Sequence, residues 1–154
     1  MRWLASPYPK TRCRGTILNL RCVFTNGERR ATVRILIADD HPIVRAGLKE
    51  LLALRTDFEI VGEASDGREA LEKVRQIDPD ILLLDLRMPY VDGLAVLEEL
   101  QRSNFRTRVI LLTAWSDKVV SKQAMRLGCR TVLEKHSDTD LIIKCIRKLN
   151  PGQP

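Results

Sequence analysis

The sequence predicts an α/β protein in which five parallel strands form one doubly wound sheet. Short apolar runs alternate five times with segments whose apolar residues recur at helical spacing. In the middle of this pattern, the apolar run 81–84 ends abruptly at Asp85 and is bounded by Pro79 and Pro89. Such a run is typical of a strand that is buried on both faces of a parallel sheet. Strict alternation of strands and helices requires crossover connections, and these make the strands parallel.

The first two strand and helix pairs are predicted between residues 33 and 77. A strand over Val33–Ala38 is followed, after Pro42, by a helix, and a second strand over Phe58–Ala64 is followed by another helix. Each helix has one apolar face. These faces consist of Val44, Leu48, Leu51 and Leu52 in the first helix, and of Ala70, Leu71, Val74 and Ile77 in the second.

The other three strands are predicted over Asp80–Asp85, Arg108–Leu112 and Thr131–Leu133. The apolar faces of the helices that follow them consist of Leu94, Leu97 and Leu100, of Val120, Ala124 and Leu127, and of Ile142, Cys145, Ile146 and Leu149. The fourth helix is predicted over roughly 118–127, and the last ends at Asn150. Five such units favour the flavodoxin-like strand order 2-1-3-4-5, whose switch point lies between the first and third strands.

The chain is predicted to consist of a leader, one domain and a short tail. Residues 1–32 lack periodicity and carry seven basic side chains against one acidic, whereas the remaining residues hold 19 of each sign. This basic leader is expected to be disordered or not part of the native product, since a domain could start near Val33. Residues 33–150 form the predicted domain and 151–154 the tail. Because the domain is neutral, direct binding of nucleic acid is not expected.

The cysteines and the hydropathy pattern favour a cytoplasmic protein. The chain has four cysteines, and none of them shows the CxxC spacing of a zinc site. They are therefore expected to be reduced thiols. The sequence contains no apolar run long enough to span a membrane. Its amino terminus lacks the apolar core of a signal peptide, because Ser6, Pro7 and Pro9 interrupt it.

Three acids are predicted to meet at the carboxyl edge of the sheet. Asp39 and Asp40 follow the first strand and Asp85 ends the third, and these strands are neighbours in the predicted order. Converging carboxylates repel each other, so one of them should be protonated unless a cation lies among them. Hard oxygen ligands suit Mg²⁺. The alternative is that Asp39 and Asp40 only cap the following helix, although capping requires a single acid.

Two further polar residues follow the fourth and fifth strands. Thr113 and Lys135 should project over the same edge as Asp85, offering a hydroxyl donor and an ammonium group to a bound ligand. The small side chain of Ala114 would leave room for that ligand to reach the backbone N–H. Taken singly, Thr113 could be a helix cap and Lys135 a surface lysine. Their position beside three acids favours a binding role.

Together these residues resemble the receiver domain of bacterial two-component response regulators. The resemblance rests on four segments in order between residues 33 and 149, which are Ile35–Pro42, Leu83–Gly93, Leu112–Ala114 and Lys135. The stretch 41–48 is most similar to receivers that precede a helix-turn-helix DNA-binding domain. The family implies a signalling module rather than an enzyme, one that receives a phosphoryl group from a sensor histidine kinase.

The resemblance also implies a role for each residue. Asp85 would be the phosphoacceptor. The ligands of Mg²⁺ would be Asp40, Asp85 and the backbone carbonyl of Arg87, with Asp39 acting through a metal-bound water. Thr113, Ala114 and Lys135 would hold the phosphoryl oxygens, and movement of Thr113 would act as the switch. The kinase would dock near Ile43 and Gly47 and on the loop after Lys135, and the output would pass to a downstream protein or a receiver homodimer.

Two switch positions depart from the family pattern. Receivers commonly carry Tyr or Phe three residues before the lysine, where this chain has Val132, and glycine just before it, where this chain has Thr131. Valine cannot swing between exposed and buried positions as an aromatic ring does. A further hypothesis concerns Arg87 and Trp115, which would flank the path of attacking water and slow dephosphorylation.

Other functions remain open from the sequence. The chain could be a pseudo-receiver that acts as a constitutive interaction domain, or a fragment of a DNA-binding transcriptional regulator. A metal-dependent phosphatase with an Asp-x-Asp loop is disfavoured, because Arg87 occupies the position of the second acid. A flavin-binding flavodoxin is disfavoured because no loop rich in Ser, Thr and Gly follows the first strand.

Overall fold

The computed structural model describes residues 32–115 and 117–150, which form one five-stranded parallel sheet with helices on both faces. The strand order is β2-β1-β3-β4-β5, and every adjacent pair is parallel. This confirms the predicted flavodoxin-like sheet. The predicted tail and all but the last residue of the predicted leader lie outside the described residues.

All ten predicted elements are present. The strands are β1 Val33–Ala38, β2 Phe58–Ala64, β3 Ile81–Asp85, β4 Arg108–Thr113 and β5 Thr131–Glu134. The helices are α1 Pro42–Ala53, α2 Gly67–Ile77, α3 Gly93–Arg102, α4 Lys118–Arg126 and α5 Thr139–Lys148. The predicted strand ends and the predicted end of α4 differ from the observed ones by at most one residue, and α5 ends two residues before the predicted Asn150, as is usual for element boundaries. None of the helices in the described part of the chain is long and apolar enough to cross a bilayer.

Strand β3 contributes to two hydrophobic cores, one on each face of the sheet. Ile81 and Leu83 belong to the core beneath α1 and α5, whereas Leu82 and Leu84 belong to the core beneath α2, α3 and α4. All four side chains are fully buried. Each contributes roughly 1.5–3 kcal/mol when it is removed from water. Burial on both faces explains why the run contains no polar residue before Asp85.

A glycine allows α3 to begin close to the end of β3. A Cβ atom at Gly93 would lie 2.5 Å from the carbonyl oxygen of Asp85 and 3.0 Å from the Cα of Leu86. The Gly93 N–H also donates to the Leu86 carbonyl at 2.9 Å. A larger residue would force these backbones apart. Gly93 therefore helps to hold Asp85 at the carboxyl edge of the sheet.

Candidate functional site

The three predicted acids meet where β1 and β3 end. Asp39 and Asp85 are buried, with 1% and 2% exposure, and Asp40 is half-buried. One ligand atom from each of Asp39, Asp40, His41 and Asp85 can be chosen so that all four lie within 4.8 Å of one another. The cause is the pairing of β1 with β3, which sets their carboxyl ends side by side. The acids thus share one environment.

Lys135 lies between two of these acids. Its Nζ is 2.7 Å from Oδ2 of Asp39 and 2.8 Å from Oδ2 of Asp85. The residue directly follows β5, and its backbone N–H donates to the Thr113 carbonyl at 2.8 Å. Burial alone would lower the pKa of Lys135, but the two carboxylates outweigh it and leave the pKa raised. The chain itself thus supplies a cation that reduces the repulsion between the acids.

Asp85 remains an unfavourable place for a negative charge despite this lysine. Burial raises the pKa of the Asp85 carboxyl, and the nearby charge of Asp39 raises it further, while Lys135 and the N–H of Arg87 act in the opposite direction. The Arg87 N–H donates to Oδ1 of Asp85 at 3.3 Å. A buried carboxylate is stabilised by any additional positive charge nearby. The site therefore favours binding of a cation.

The oxygen atoms of the cluster are available to such a cation. Within the described residues, Oδ2 of Asp39, Oδ1 of Asp40 and Oδ2 of Asp85 are buried and accept no well-directed hydrogen bond. Their close contacts are the nitrogen atoms of Lys135 and His41. Magnesium binds oxygen ligands at about 2.1 Å, so its ligands lie roughly 3–4 Å apart. Small side-chain movements would bring the carboxylates to these separations, and the residues present fit a divalent ion.

Helix capping does not account for Asp39 and Asp40. The N-cap residue of α1 is His41, and its side chain makes no capping hydrogen bond. Asp39 instead accepts the His41 N–H at Oδ1, at 2.8 Å, just before the helix. The Asp39 backbone is further held by Arg45, whose Nη1 donates to its carbonyl at 2.6 Å. Asp39 therefore contacts Lys135 with its other oxygen, and Asp40 contacts His41 within the same cluster as Asp85, so neither acid serves as the helix cap.

Thr113 lies at the same edge, but its hydroxyl is engaged elsewhere. The side chain is 5% exposed, and Oγ1 donates to the Trp115 carbonyl at 2.9 Å. The same oxygen accepts the Trp115 N–H at 3.3 Å. Ala114, between them, is exposed. The hydroxyl thus binds the loop between β4 and α4, and it would have to leave this loop to contact a ligand on Asp85.

The two altered positions lie on β5. Thr131 and Val132 are both half-buried, and the Thr131 hydroxyl donates to the carbonyl of Arg130 at 2.8 Å. Val132 packs against the core beneath α2, α3 and α4. Its side chain is thus already part of the packed interior, and it offers no aromatic group that could change position.

His41 is the site residue that the sequence analysis did not single out. Its Nδ1 lies 2.7 Å from Oδ1 of Asp40 and 3.3 Å from Oδ1 of Asp39. The available signal was its position directly after two acids. That position alone does not reveal whether a ring points to the site or into solvent.

Comparison with protein families agrees with this geometry. Residues 35–147 match the model of the response regulator receiver domain. The chain belongs to this family. The resemblance predicted from the sequence is thereby confirmed, and the flavodoxin-like sheet is the fold of this receiver domain.

Similar proteins include longer transcriptional regulators. The receiver domain is 34% identical over 120 residues to the transcriptional regulatory protein LnrK of Bacillus subtilis, an alignment that covers 78% of this chain and 54% of LnrK. It is 32% identical over 119 residues to the nitrate/nitrite response regulator protein NarL of Escherichia coli, with 77% and 55% covered. The chain thus spans about half the length of these curated relatives.

Solved structures share the fold. A two-component response regulator of the LuxR family from Aurantimonas sp. superposes with a TM-score of 0.74 at 30% identity, covering 79% of this chain and 87% of that chain. The response regulator domain of Thermotoga maritima CheB superposes with a TM-score of 0.72 at 26% identity, covering 80% and 99%. Receivers from different regulators therefore share this arrangement of strands and helices.

Proposed function

We propose that this receiver domain accepts a phosphoryl group on Asp85 from a sensor histidine kinase, in a Mg²⁺-dependent phosphorelay. The observation that carries the proposal is the position of Asp85. Its buried carboxylate lies 2.8 Å from the Lys135 ammonium and shares one cluster with Asp39 and Asp40. A carboxylate nucleophile beside a cation and two metal-binding acids is suited to phosphoryl transfer.

In the proposed reaction a carboxylate oxygen of Asp85 attacks phosphorus. The bond between phosphorus and the kinase's histidine nitrogen breaks, its electron pair stays on that nitrogen, and Asp85 becomes an acyl phosphate. Asp40, Asp85 and the carbonyl of Arg87 would hold Mg²⁺, with Asp39 acting through a water molecule. The ion, when bound, offsets negative charge on the transferred group. Lys135 would offset charge on the phosphoryl oxygens as well, because its ammonium already contacts Asp85 at 2.8 Å.

Thr113 and Ala114 complete the proposed phosphoryl site. The Thr113 hydroxyl would leave the Trp115 carbonyl and donate to a phosphoryl oxygen, while the exposed Ala114 would offer its backbone N–H. This exchange costs one neutral hydrogen bond and gains a charge-assisted one, which is typically about twice as strong. Phosphorylation would therefore release the loop between β4 and α4, and protein contacts on that side would carry the signal.

The proposed kinase surface lies beside the site. Ile43, in the first turn of α1, is 86% exposed, and a Cβ atom at Gly47 would meet no atom within 4 Å. His136, in the loop after Lys135, is also exposed. An accessible apolar side chain next to open backbone suits a packed protein contact. The output would reach a downstream protein or a second copy of the receiver.

Phosphorylation of Asp85 is tested with acetyl phosphate and intact-protein mass spectrometry. With Mg²⁺ present, we expect the chain to gain one phosphoryl group, and we expect Asp85→Asn or removal of Mg²⁺ with a chelator to abolish the gain. Asp57→Asn is the matched control, because Asp57 precedes β2 at the opposite edge and pairs with Arg147. Absence of labelling in the unaltered chain would contradict the proposal and favour a pseudo-receiver that acts as a constitutive interaction domain.

A further inference from the structure

We propose that His41 is a nitrogen ligand of the metal site and makes it bind divalent transition-metal ions, such as Mn²⁺, in preference to Mg²⁺. The inference rests on the metal site of the proposed function. It concerns which ion occupies that site, and it adds a ligand to the proposed oxygen ligands of Asp40, Asp85 and the Arg87 carbonyl, with Asp39 acting through a water molecule.

The imidazole ring of His41 faces the acids although it stands at the surface. Its side chain is 64% exposed, yet Nδ1 lies 2.7 Å from Oδ1 of Asp40 and 3.3 Å from Oδ1 of Asp39. The ring makes no capping hydrogen bond to α1. In the described part of the chain it has no hydrogen bond or ion pair other than those to the two acids. Within the described residues, Nδ1 thus contacts only the carboxylates of Asp39 and Asp40.

The backbone holds the ring in this place. His41 precedes Pro42, and a residue before proline is restricted to extended conformations. The observed φ of −89° and ψ of 112° lie in that region. The His41 N–H is also bound to Asp39 Oδ1 at 2.8 Å. Because both restraints act on the backbone, the ring starts from the edge of the cluster, and only its side-chain torsions have to be ordered for Nδ1 to stay there.

The distances suit a single ion. Donor atoms of Asp39, Asp40, His41 and Asp85 lie within 4.8 Å of one another. Ligands of one octahedral ion with bonds of about 2.1 Å lie roughly 3–4 Å apart. The span of 4.8 Å exceeds the separation of opposite ligands of such an ion, about 4.2 Å, by roughly 0.6 Å. A small contraction of the cluster would therefore let Nδ1 of His41 join the other ligands. Nδ1 would then bind the ion directly, in place of its present contact with Oδ1 of Asp40.

The ligand set determines which ions benefit. Magnesium prefers oxygen ligands and gains little from imidazole. Divalent transition-metal ions accept imidazole more readily, with affinity rising from manganese through cobalt and nickel to copper and falling again at zinc, so that manganese is the weakest case of the effect. Three carboxylates alone already attract any divalent ion. A nitrogen ligand therefore raises the affinity for transition metals selectively and leaves that for Mg²⁺ nearly unchanged.

Pulsed electron paramagnetic resonance of the Mn²⁺-loaded chain tests the nitrogen ligand directly. We expect a ¹⁴N coupling to Mn²⁺ in the unaltered chain and its loss in His41→Ala. Calorimetric titration should show Mn²⁺ affinity falling by about tenfold or more in His41→Ala, with Mg²⁺ affinity changing little. The chain has only two histidines, and His136→Ala is the matched control, because His136 pairs with Glu134 instead of the acids. Circular dichroism checks that each variant is folded.

The outcomes separate this inference from the proposed function. Binding of Mn²⁺ without ¹⁴N coupling, or an equal loss of Mn²⁺ and Mg²⁺ affinity in His41→Ala, would overturn the role of His41 while phosphorylation of Asp85 could still proceed. Loss of the coupling in His136→Ala would overturn it as well. Failure of the unaltered chain to bind either ion would instead contradict the metal site of the proposed function.

Discussion

At the scale of single residues, the site depends on a balance of charges around Asp85. Burial raises the pKa of this carboxyl, and Lys135 opposes the effect at a distance of 2.8 Å. Removal of Lys135 would leave the buried carboxylates of Asp39 and Asp85 without a compensating cation, which is costly. Removal of Asp39 would instead relieve a repulsion and leave Lys135 paired with Asp85. Both residues thus influence whether Asp85 is charged, in opposite directions.

Arg87 and Trp115 are expected to prolong the life of the acyl phosphate. They lie two residues after Asp85 and Thr113, and both are exposed above the edge of the sheet. Because these bulky side chains would obstruct attacking water, we expect Arg87→Ala and Trp115→Ala to accelerate dephosphorylation by up to about tenfold, equivalent to about 1.4 kcal/mol. Decay of the labelled protein after removal of phosphodonor measures this. Arg106→Ala, at the opposite edge, is the control, and an unchanged lifetime in both variants would refute the role.

At the scale of secondary-structure elements, the start of α2 is stabilised by a reciprocal set of hydrogen bonds. Asp66, the N-cap residue, accepts the N–H groups of Arg68 and Glu69 at Oδ1. The Glu69 carboxylate reaches back to the Ser65 N–H at 2.7 Å and pairs with Lys73 at 2.7 Å. This variant of the capping box satisfies several N–H groups that a helix start leaves open.

Glu69 should make stability depend on pH. Lys73 and Ser65 lower the pKa of Glu69 to about 2 from an ordinary value of 4.5. The contribution of Glu69 to the free energy of unfolding is therefore fully present above pH 4.5 and is lost as the pH falls toward 2. Because the pair is partly exposed, we expect Glu69→Gln to reduce the free energy of unfolding by less than about 1 kcal/mol at pH 7. Urea denaturation at pH 7 and at pH 3 should show that the difference in free energy of unfolding between the unaltered chain and Glu69→Gln is smaller at pH 3.

The control for this pH effect is Glu72→Gln on the same helix. Glu72 is exposed, and its Oε1 accepts a hydrogen bond from the neutral amide of Gln76 at 3.0 Å. We expect Glu72→Gln to change the free energy of unfolding little, and by a similar amount at both pH values. If the effect of Glu69→Gln on the free energy of unfolding grew as the pH fell, the lowered pKa of Glu69 would be contradicted.

At the scale of the whole molecule, we expect the route of the proposed signal to differ from the aromatic switch that receivers commonly carry. Val132 is half-buried against the core and offers no movable ring. The Thr113 hydroxyl is instead bound to the Trp115 carbonyl at 2.9 Å. Trp115 is 78% exposed, and Val119 in the first turn of α4 is 73% exposed. Movement of Thr113 would thus act directly on an exposed apolar region before and within α4.

Fluorescence of Trp115 should report this movement. In a Trp3→Phe background, Trp115 is the sole tryptophan of the chain. We expect acetyl phosphate and Mg²⁺ to change its emission, and we expect Thr113→Val to suppress the change while Asp85 is still labelled. Thr131→Val is the control, since its hydroxyl bonds to the neighbouring Arg130 carbonyl. An equal emission change in Thr113→Val and in the control would exclude this route.

Much of the fold and of the acid cluster could be predicted because the signals are local. The apolar run before Asp85 must be buried on both faces, and the helical spacing of apolar residues repeats after every strand. Parallel crossovers restrict the order of the strands, and the flavodoxin-like order brings Asp39 and Asp40 beside Asp85. Periodicity and polar residues at strand ends therefore predict the elements, their parallel pairing and the choice of edge.

The contacts inside the site were decided only by the tertiary structure. The ammonium of Lys135 bridges Asp39 and Asp85, the hydroxyl of Thr113 turns to Trp115, and the ring of His41 turns to Asp40. Each of these orientations depends on side-chain rotamers chosen by neighbours that are brought close by folding. A sequence specifies which chemical groups reach the edge of the sheet, whereas their partners depend on distances that exist only after the strands have paired.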